Sequence, residues 1–113
     1  GESGDAMAAA HRLVERALAS EPYRRAAGAK RVIREMPVAA VVDGALVEGV
    51  IDLVFEAPDG LVVVEVKGAP PGDEAADQLR AYCRALAAAG VPVAEAYLLV
   101  LAPDGARVVP VPG

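Results

Sequence analysis

The spacing of apolar positions changes along the chain, and each change marks an element. Over residues 5–20, Met7, His11, Val14 and Leu18 recur at spacings of 4, 3 and 4, one face of a helix, while Arg12, Glu15 and Arg16 lie away from it. Asp5 is a suitable N-cap for that helix. Residues 21–34 carry a weaker pattern that allows a second short helix. The run "MPVAAVVDGALVEGVIDLVFEAPDGLVVVEVKG" (36–68) then turns rich in Val and Ile and reads as three strands, with Asp43-Gly44 and Pro58-Asp59-Gly60 as the turns. After the loop "APPG" (69–72), Asp73 opens a helix to about Ala89, ended by Gly90 and Pro92, with Ala75, Leu79, Cys83 and Leu86 as its core stripe. Residues 94–102 form a fourth strand and 106–111 a fifth, which Pro110 places at a sheet edge or a strand end. The order is αβββαβ with a final β. A helix between strands three and four predicts a mixed sheet covered by helices, an α/β (α+β) domain.

Three charges interrupt the most apolar hairpin: Asp52, Glu65 and Lys67. Strand two is taken as Gly49–Glu56 and strand three as Leu61–Lys67, joined by the four-residue loop Ala57-Pro58-Asp59-Gly60. Pairing Glu56 with Leu61 then sets Val54 opposite Val63 and Asp52 opposite Glu65, with Cβ atoms about 5 Å apart. Lys67 follows Glu65 on the same face by the period of two. Opposed like charges destabilise a sheet unless a shared proton, a basic neighbour or a divalent cation neutralises them. Two convergent carboxylates with a backbone carbonyl and waters suit a hard cation such as Mg²⁺ or Mn²⁺. A lysine two residues on can orient or help deprotonate the attacking water, or stabilise a phosphoryl transition state. A salt bridge from Lys67 at a strand end is the ordinary explanation of an isolated Glu-x-Lys; Asp52, upstream across the turn, brings the two explanations level.

Two further groups bear on the choice. His11, the single histidine, lies on the apolar face of the first helix, where a satisfied core residue is the common outcome and a metal ligand the functional one. Gln78 and Tyr82 stand i, i+4 beside the core stripe of the later helix. They are either a partly buried amide and phenol or a pair of polar tips that reach a phosphate backbone.

Composition narrows the classes. At 113 residues and 55% hydrophobic content, the chain is long enough for one domain with its own core, taken as residues 1–113. No apolar run reaches transmembrane length, and "GESGDAM" has neither the basic start nor the apolar segment of a signal peptide. Cys83 stands alone, which excludes an internal disulfide and cysteine-cluster metal sites and fits a reducing compartment. The net charge of −5 argues against tight autonomous binding to nucleic acid. Yet residues 12–34 hold Arg12, Arg16, Arg24, Arg25, Lys30, Arg31 and Arg34 against only Glu15 and Glu21. The chain begins with Gly, so a fragment of a larger protein is expected.

Taken in order, His11, Glu35 in "REMPV", "GVID" ending at Asp52, "EVK" at 65–67 and "QLRAY" at 78–82 resemble the PD-(D/E)XK nucleases. The closest likeness is to the RecB-type nuclease domain at the C-terminus of bacterial repair helicases and helicase–nucleases. It spans about Met7 to Leu101, and the αβββαβ order agrees with the restriction-endonuclease-like core of that family. Gly68 stands where the pattern commonly has Thr. The resemblance implies that His11, Asp52, Glu65 and the Val66 carbonyl hold Mg²⁺ or Mn²⁺, and that Lys67 assists the attacking water. Gln78 and Tyr82 would support the site and touch DNA, with Glu35 as a secondary carboxylate. It further implies a deoxyribonuclease of DNA repair or recombination in the bacterial cytoplasm, acting on single strands delivered by a helicase motor, with no membrane partner. Such tethering would explain an acidic nuclease that binds DNA weakly by itself. Two other functions fit the same residues: a nuclease-fold scaffold or DNA-clamping module without catalysis, and a stand-alone nuclease for RNA ends or branched DNA.

Overall fold

Two tight turns build the hairpins of the sheet. Asp43 (φ 51°) and Gly44 (φ 80°) join β1 (Val32–Val42) to β2 (Ala45–Ala57), both in the left-handed region that a two-residue hairpin turn requires. Pro58 and Asp59 join β2 to β3 (Gly60–Gly68), since Ala57 pairs with Gly60. That loop is two residues shorter than the sequence suggested, because Gly60 at φ 141° extends the ladder into it. The computed structural model describes residues 2–112, with side chains from residue 4 onward.

The other elements are α1 (Glu2–Ala19), α2 (Glu21–Ala27), α3 (Ala75–Ala88), β4 (Val93–Ala102) and β5 (Gly105–Pro110). The five strands lie in the order β1-β2-β3-β4-β5. Only β3 and β4 run parallel, joined by α3, so the sheet is mixed as expected. Pro110 ends β5 at the outer edge, where its missing N–H costs no ladder bond.

Helices cover both faces. α3 packs Leu79, Tyr82 and Leu86 on Val38, Ile51, Val54, Val63, Leu98 and Val100. On the opposite face, Ala17 of α1 and Ala26 of α2 pack on Leu53, Phe55, Val62, Val64 and Leu99. Each fully buried Val, Leu or Ile contributes roughly 1.5–3 kcal/mol relative to exposure. α2 is fastened by Arg25, whose guanidinium makes a two-pronged ion pair with Glu95 (3.0 and 2.9 Å) and lies over the Phe55 ring.

Strict alternation fails at one place in β2. Ile51 belongs to the α3 face and Leu53 to the α1–α2 face, although residues two apart in a strand share a face. The side-switch falls on Asp52. Across the β1–β2 ladder the partners run Arg34↔Leu53 and Met36↔Ile51, leaving Glu35 opposite Asp52. Glu35 has φ 54°, a left-handed conformation uncommon for a residue with a Cβ.

Several expectations change. α1 begins at Glu2 rather than at an Asp5 cap, and β1 begins at Val32 rather than near Met36. The predicted inner face of α1 is not buried: Met7 is 73% exposed, Val14 and Leu18 54%. Among the described side chains of α1, Ala17 is the buried one, with Leu13 and Arg16 half-buried. Arg16 ties the helix to the end of β4 by donating to the Ala102 carbonyl (3.2 Å). A helix held near its C-terminal end by a small residue leaves its larger apolar side chains overhanging. On α3 the buried stripe is rotated toward Tyr82 and Ala85, and Cys83 is only half-buried. Among the described residues, no helix is long and apolar enough to cross a membrane.

Candidate active site

Position begins with where the β2–β3 ladder stops. The register pairs Glu56 with Leu61 and Val54 with Val63, as the turn predicts, and ends at Leu53↔Val64. Beyond that point the strands part, so Asp52 and Glu65 are not a facing cross-strand pair. Instead, each carboxylate reaches across the gap. The Asp52 N–H donates to Glu65 Oε1 at 2.8 Å, and the Val66 N–H donates to Asp52 Oδ2 at 2.7 Å. Two side chains thus replace the ladder bonds that the side-switch at Asp52 removes. The carboxylates are fixed by the backbone they satisfy.

Glu65 is 5% exposed, the one charged residue in the core among the described residues. Burial pushes its carboxyl pKa up, and the Asp52 charge adds to this. The hydrogen bond from the Asp52 N–H and the charge of Lys67 pull the other way. By alternation from Val63, Glu65 and Lys67 share the α3 face of β3. Tyr82 closes the site from that side: it is 5% exposed, and burial, then the charges of Glu65 and Asp52, raise its pKa. The ring occupies the space above Gly49, where a Cβ would fall 2.6 Å from Cζ. Gly49 in "GVID" is therefore a packing requirement of Tyr82. The sequence pattern leaves Tyr82 partly buried beside the stripe, whereas in the structure it is a core residue, because Gly49 opens room for it.

On the other face, Asp52 lines a cleft of about 490 Å³ between α1 and the sheet. Leu13, Val14, Ala17 and Leu18 form the α1 wall, with Tyr23, Arg34, Glu35, Val66 and Leu101 opposite and around. The left-handed turn at Glu35 lets neighbouring Arg34 and Glu35 both reach this one cleft. Tyr23 and Arg34 were not singled out from sequence. Arg34 had a signal, since it adjoins Glu35 in "REMPV", whereas Tyr23 had none. The Tyr23 hydroxyl pKa is raised by burial and by Asp52, with Arg34 opposing. These groups form one electrostatic neighbourhood.

The remaining candidates lie apart. His11 is on the exposed flank of α1, its Nδ1 3.4 Å from Glu15 Oε1 and its side chain 73% exposed. Gln78 is exposed on α3, one turn before Tyr82. Among the described residues, no group of three or more His, Cys, Asp and Glu side chains is assembled for a metal. The two carboxylates still suit a hard cation. Among the described residues no hydrogen bond reaches Asp52 Oδ1 or Glu65 Oε2, which leaves one carboxyl oxygen of each unengaged. A buried carboxylate beside a second one is also the environment in which a divalent charge is most favourable.

A family model for the PD-(D/E)XK nuclease superfamily matches residues 2–111. Among solved structures, the chain is similar to the crystal structure of SSO0001, with a TM-score of 0.55 and 17% identity. That match covers 71% of this chain and 41% of the other, a likeness of fold. No curated protein matches.

Proposed function

Because the chain belongs to the PD-(D/E)XK nuclease superfamily, a family that usually hydrolyses phosphodiester bonds, we propose that it cuts DNA with Mg²⁺ or Mn²⁺. The observation that carries this is the reciprocal hold between Asp52 and Glu65, which keeps two carboxylates together with one oxygen of each unengaged. Asp52, Glu65 and the Val66 carbonyl are the ligands in this reading. When bound, the cation would offset the charge developing on the phosphate and make water a better nucleophile. His11, on α1 and 73% exposed, would be the fourth ligand in this reading.

The chain's own groups divide the remaining work. Lys67 sits two residues beyond Glu65 on the same strand face, where its ammonium steadies the carboxylate charge and can orient the attacking water. Tyr82 seals the α3 side and excludes solvent behind Glu65. Gln78, one helical turn away and exposed, would contact the DNA backbone in this reading. Glu35 bends β1 beside Asp52 and adds a secondary carboxylate to the cleft.

In this proposal the chain is the nuclease domain of a bacterial repair or recombination helicase–nuclease, working in the cytoplasm on a strand that the motor delivers. The acidic net charge supports delivery over capture. The test incubates labelled single-stranded DNA with Mg²⁺ or Mn²⁺, using wild type, Lys67→Ala and Asp52→Ala. Cleavage lost in both variants is expected. No cleavage by wild type, also when joined to its motor, would favour the second reading, a nuclease-fold module that only holds DNA.

A further inference from the structure

The cleft beneath α1 brings Asp52 together with one cation, and that cation is not the motif lysine. Glu65 and Lys67 alternate onto the α3 face of β3, whereas the residues lining the cleft include Asp52, Glu35 and Arg34 but not Lys67. Register places Arg34 there. Its cross-strand partner is Leu53, which packs on the α1–α2 face, and directly opposed residues of an antiparallel pair share a face. Met36 lies opposite Ile51 and packs with the α3 face. A regular strand would put Arg34 and Met36, two residues apart, on one side. The left-handed Glu35 stands between them, at φ 54°.

Arg34 is also uncommitted. Arg25, Arg31, Arg80 and Arg84 each pair with a carboxylate, and Arg16 donates to the Ala102 carbonyl. Among the described residues no ion pair engages Arg34, although Asp52 and Glu35 line the same cleft. An arginine on an edge strand is ordinarily left to solvent. The charge of this one acts on the Tyr23 hydroxyl against that of Asp52, so it falls within the site. When a phosphoryl group is transferred, negative charge spreads over its non-bridging oxygens. A metal held by Asp52 and Glu65 meets part of that charge. A guanidinium, planar and carrying paired N–H donors, fits phosphate oxygens two at a time.

We propose that Arg34 is a further catalytic residue: its guanidinium donates to the non-bridging oxygens of the scissile phosphate in the cleft beside Asp52 and stabilises the charge that develops on them. This role rests on the phosphodiesterase reading of Asp52 and Glu65. The work is then divided between the two faces of the sheet. Lys67 accompanies Glu65 on the α3 side, and Arg34 accompanies Asp52 on the α1 side. The kink at Glu35 has a function here, since it lets Arg34 face the cleft while Met36 stays in the core beneath α3.

Two measurements on the same proteins test this role. Steady-state cleavage of labelled DNA in Mg²⁺ compares wild type with Arg34→Ala, Arg34→Lys and Arg12→Met. Arg34→Ala should lower kcat about 100-fold or more, with KM changed far less, the scale of losing one donor to a transition-state oxygen. Arg34→Lys should keep part of the rate. Millimolar guanidinium should restore part of the Arg34→Ala loss and none of the Lys67→Ala loss, which a merely structural role would not allow. Arg12→Met removes an equal charge outside the cleft and should leave kcat unchanged. Arg34 is exposed, so its variants should melt with wild type. The second measurement needs no cleavage. The side-chain Nε–Hε NMR signal of Arg34, identified by its loss in Arg34→Lys, is followed as inorganic phosphate is added in Mg²⁺, and it should shift to saturation. A kcat for Arg34→Ala within about threefold of wild type, a loss that guanidinium leaves untouched, or a signal that phosphate does not move would overturn the assignment. A signal that saturates in a protein that cuts nothing upholds Arg34 as the phosphate ligand and removes the nuclease reading. Cleavage with an unmoved signal and an unchanged kcat does the reverse.

Discussion

The Tyr82 ring lies against the bare Cα of Gly49, in space that a Cβ on that residue would invade at 2.6 Å from Cζ. A helix residue and a strand residue are thus matched by subtraction, and the match seats α3 directly behind the carboxylates. Gly49→Ala should destabilise the domain by about 3 kcal/mol or more, since the overlap is with a ring that is itself buried. Combining it with Tyr82→Ala should cost clearly less than the two single changes summed, because the overlap disappears. Urea denaturation of the four proteins checks this. Additive losses would mean the two residues do not meet.

Asp52 has two separable duties, as acceptor for the Val66 N–H and as an anion. Asp52→Asn keeps an oxygen for the N–H and loses the charge, so its stability should stay within about 1 kcal/mol of wild type. Asp52→Ala leaves the Val66 N–H without its acceptor and should cost about 1–3 kcal/mol. Both should lose cleavage by at least about 100-fold if the charge is what the reaction needs. Thermal melts and a cleavage assay on the same preparations separate the two duties.

Glu65 is buried beside a second carboxylate and is held there without a full counter-charge. Glu65→Gln should therefore raise metal-free stability, by about 1 kcal/mol or more, while abolishing cleavage. Mg²⁺ should raise the melting temperature of wild type through preferential binding to the folded state, and leave Glu65→Gln unmoved. An identical Mg²⁺ response in the two proteins would place the cation elsewhere. In the same titration His11→Ala should leave the metal-free melting temperature unchanged and shift only the Mg²⁺ midpoint.

The Arg25–Glu95 pair predicts an acid limb of the stability curve. Arg25 and the Tyr97 hydroxyl both donate to Glu95, and the guanidinium holds the Glu95 pKa down to about 2 from an ordinary 4.5. A depressed carboxyl pKa contributes stability that is full above the unfolded value and is lost as pH falls through the folded one. Wild type should lose that contribution between pH 4.5 and 2. Glu95→Gln should be less stable at neutral pH and fall less steeply across that window. Both side chains are about one-third exposed, so solvent keeps the effect modest. Melting temperatures across the pH range read the slope directly.

Much of the fold was legible locally. Asp-Gly and Pro-Asp-Gly turns between Val-rich runs set the hairpins and their register, because a turn's geometry and a strand's period of two are near-neighbour properties. Glu56↔Leu61 and Val54↔Val63 follow from them. The α3 crossover and the parallel β3–β4 pair follow from element order. Asp52, Glu65 and Lys67 stand out in the sequence as charges within one apolar hairpin.

What went unseen depends on groups distant in sequence. Period 3.6 assigned α1 the face Met7, His11, Val14 and Leu18, but a helix buries whatever face its neighbours cover, and only Ala17 meets the sheet closely. The side-switch at Asp52 lies across the ladder from Glu35, whose left-handed backbone is a conformation its residue type discourages. Tyr23 and Arg34 reach the cleft only because α2 and that kink bring them there.

The sequence by itself therefore determined the order of elements and the hairpin register near the turns, since short-range sterics and periodicity govern these. Tertiary structure decided how the carboxylates are held, which face of α1 stays open and what stands across the cleft from Asp52. Those outcomes depend on where the β2–β3 ladder ends and how two helices seat on opposite faces of one sheet, and no window along the chain contains both partners.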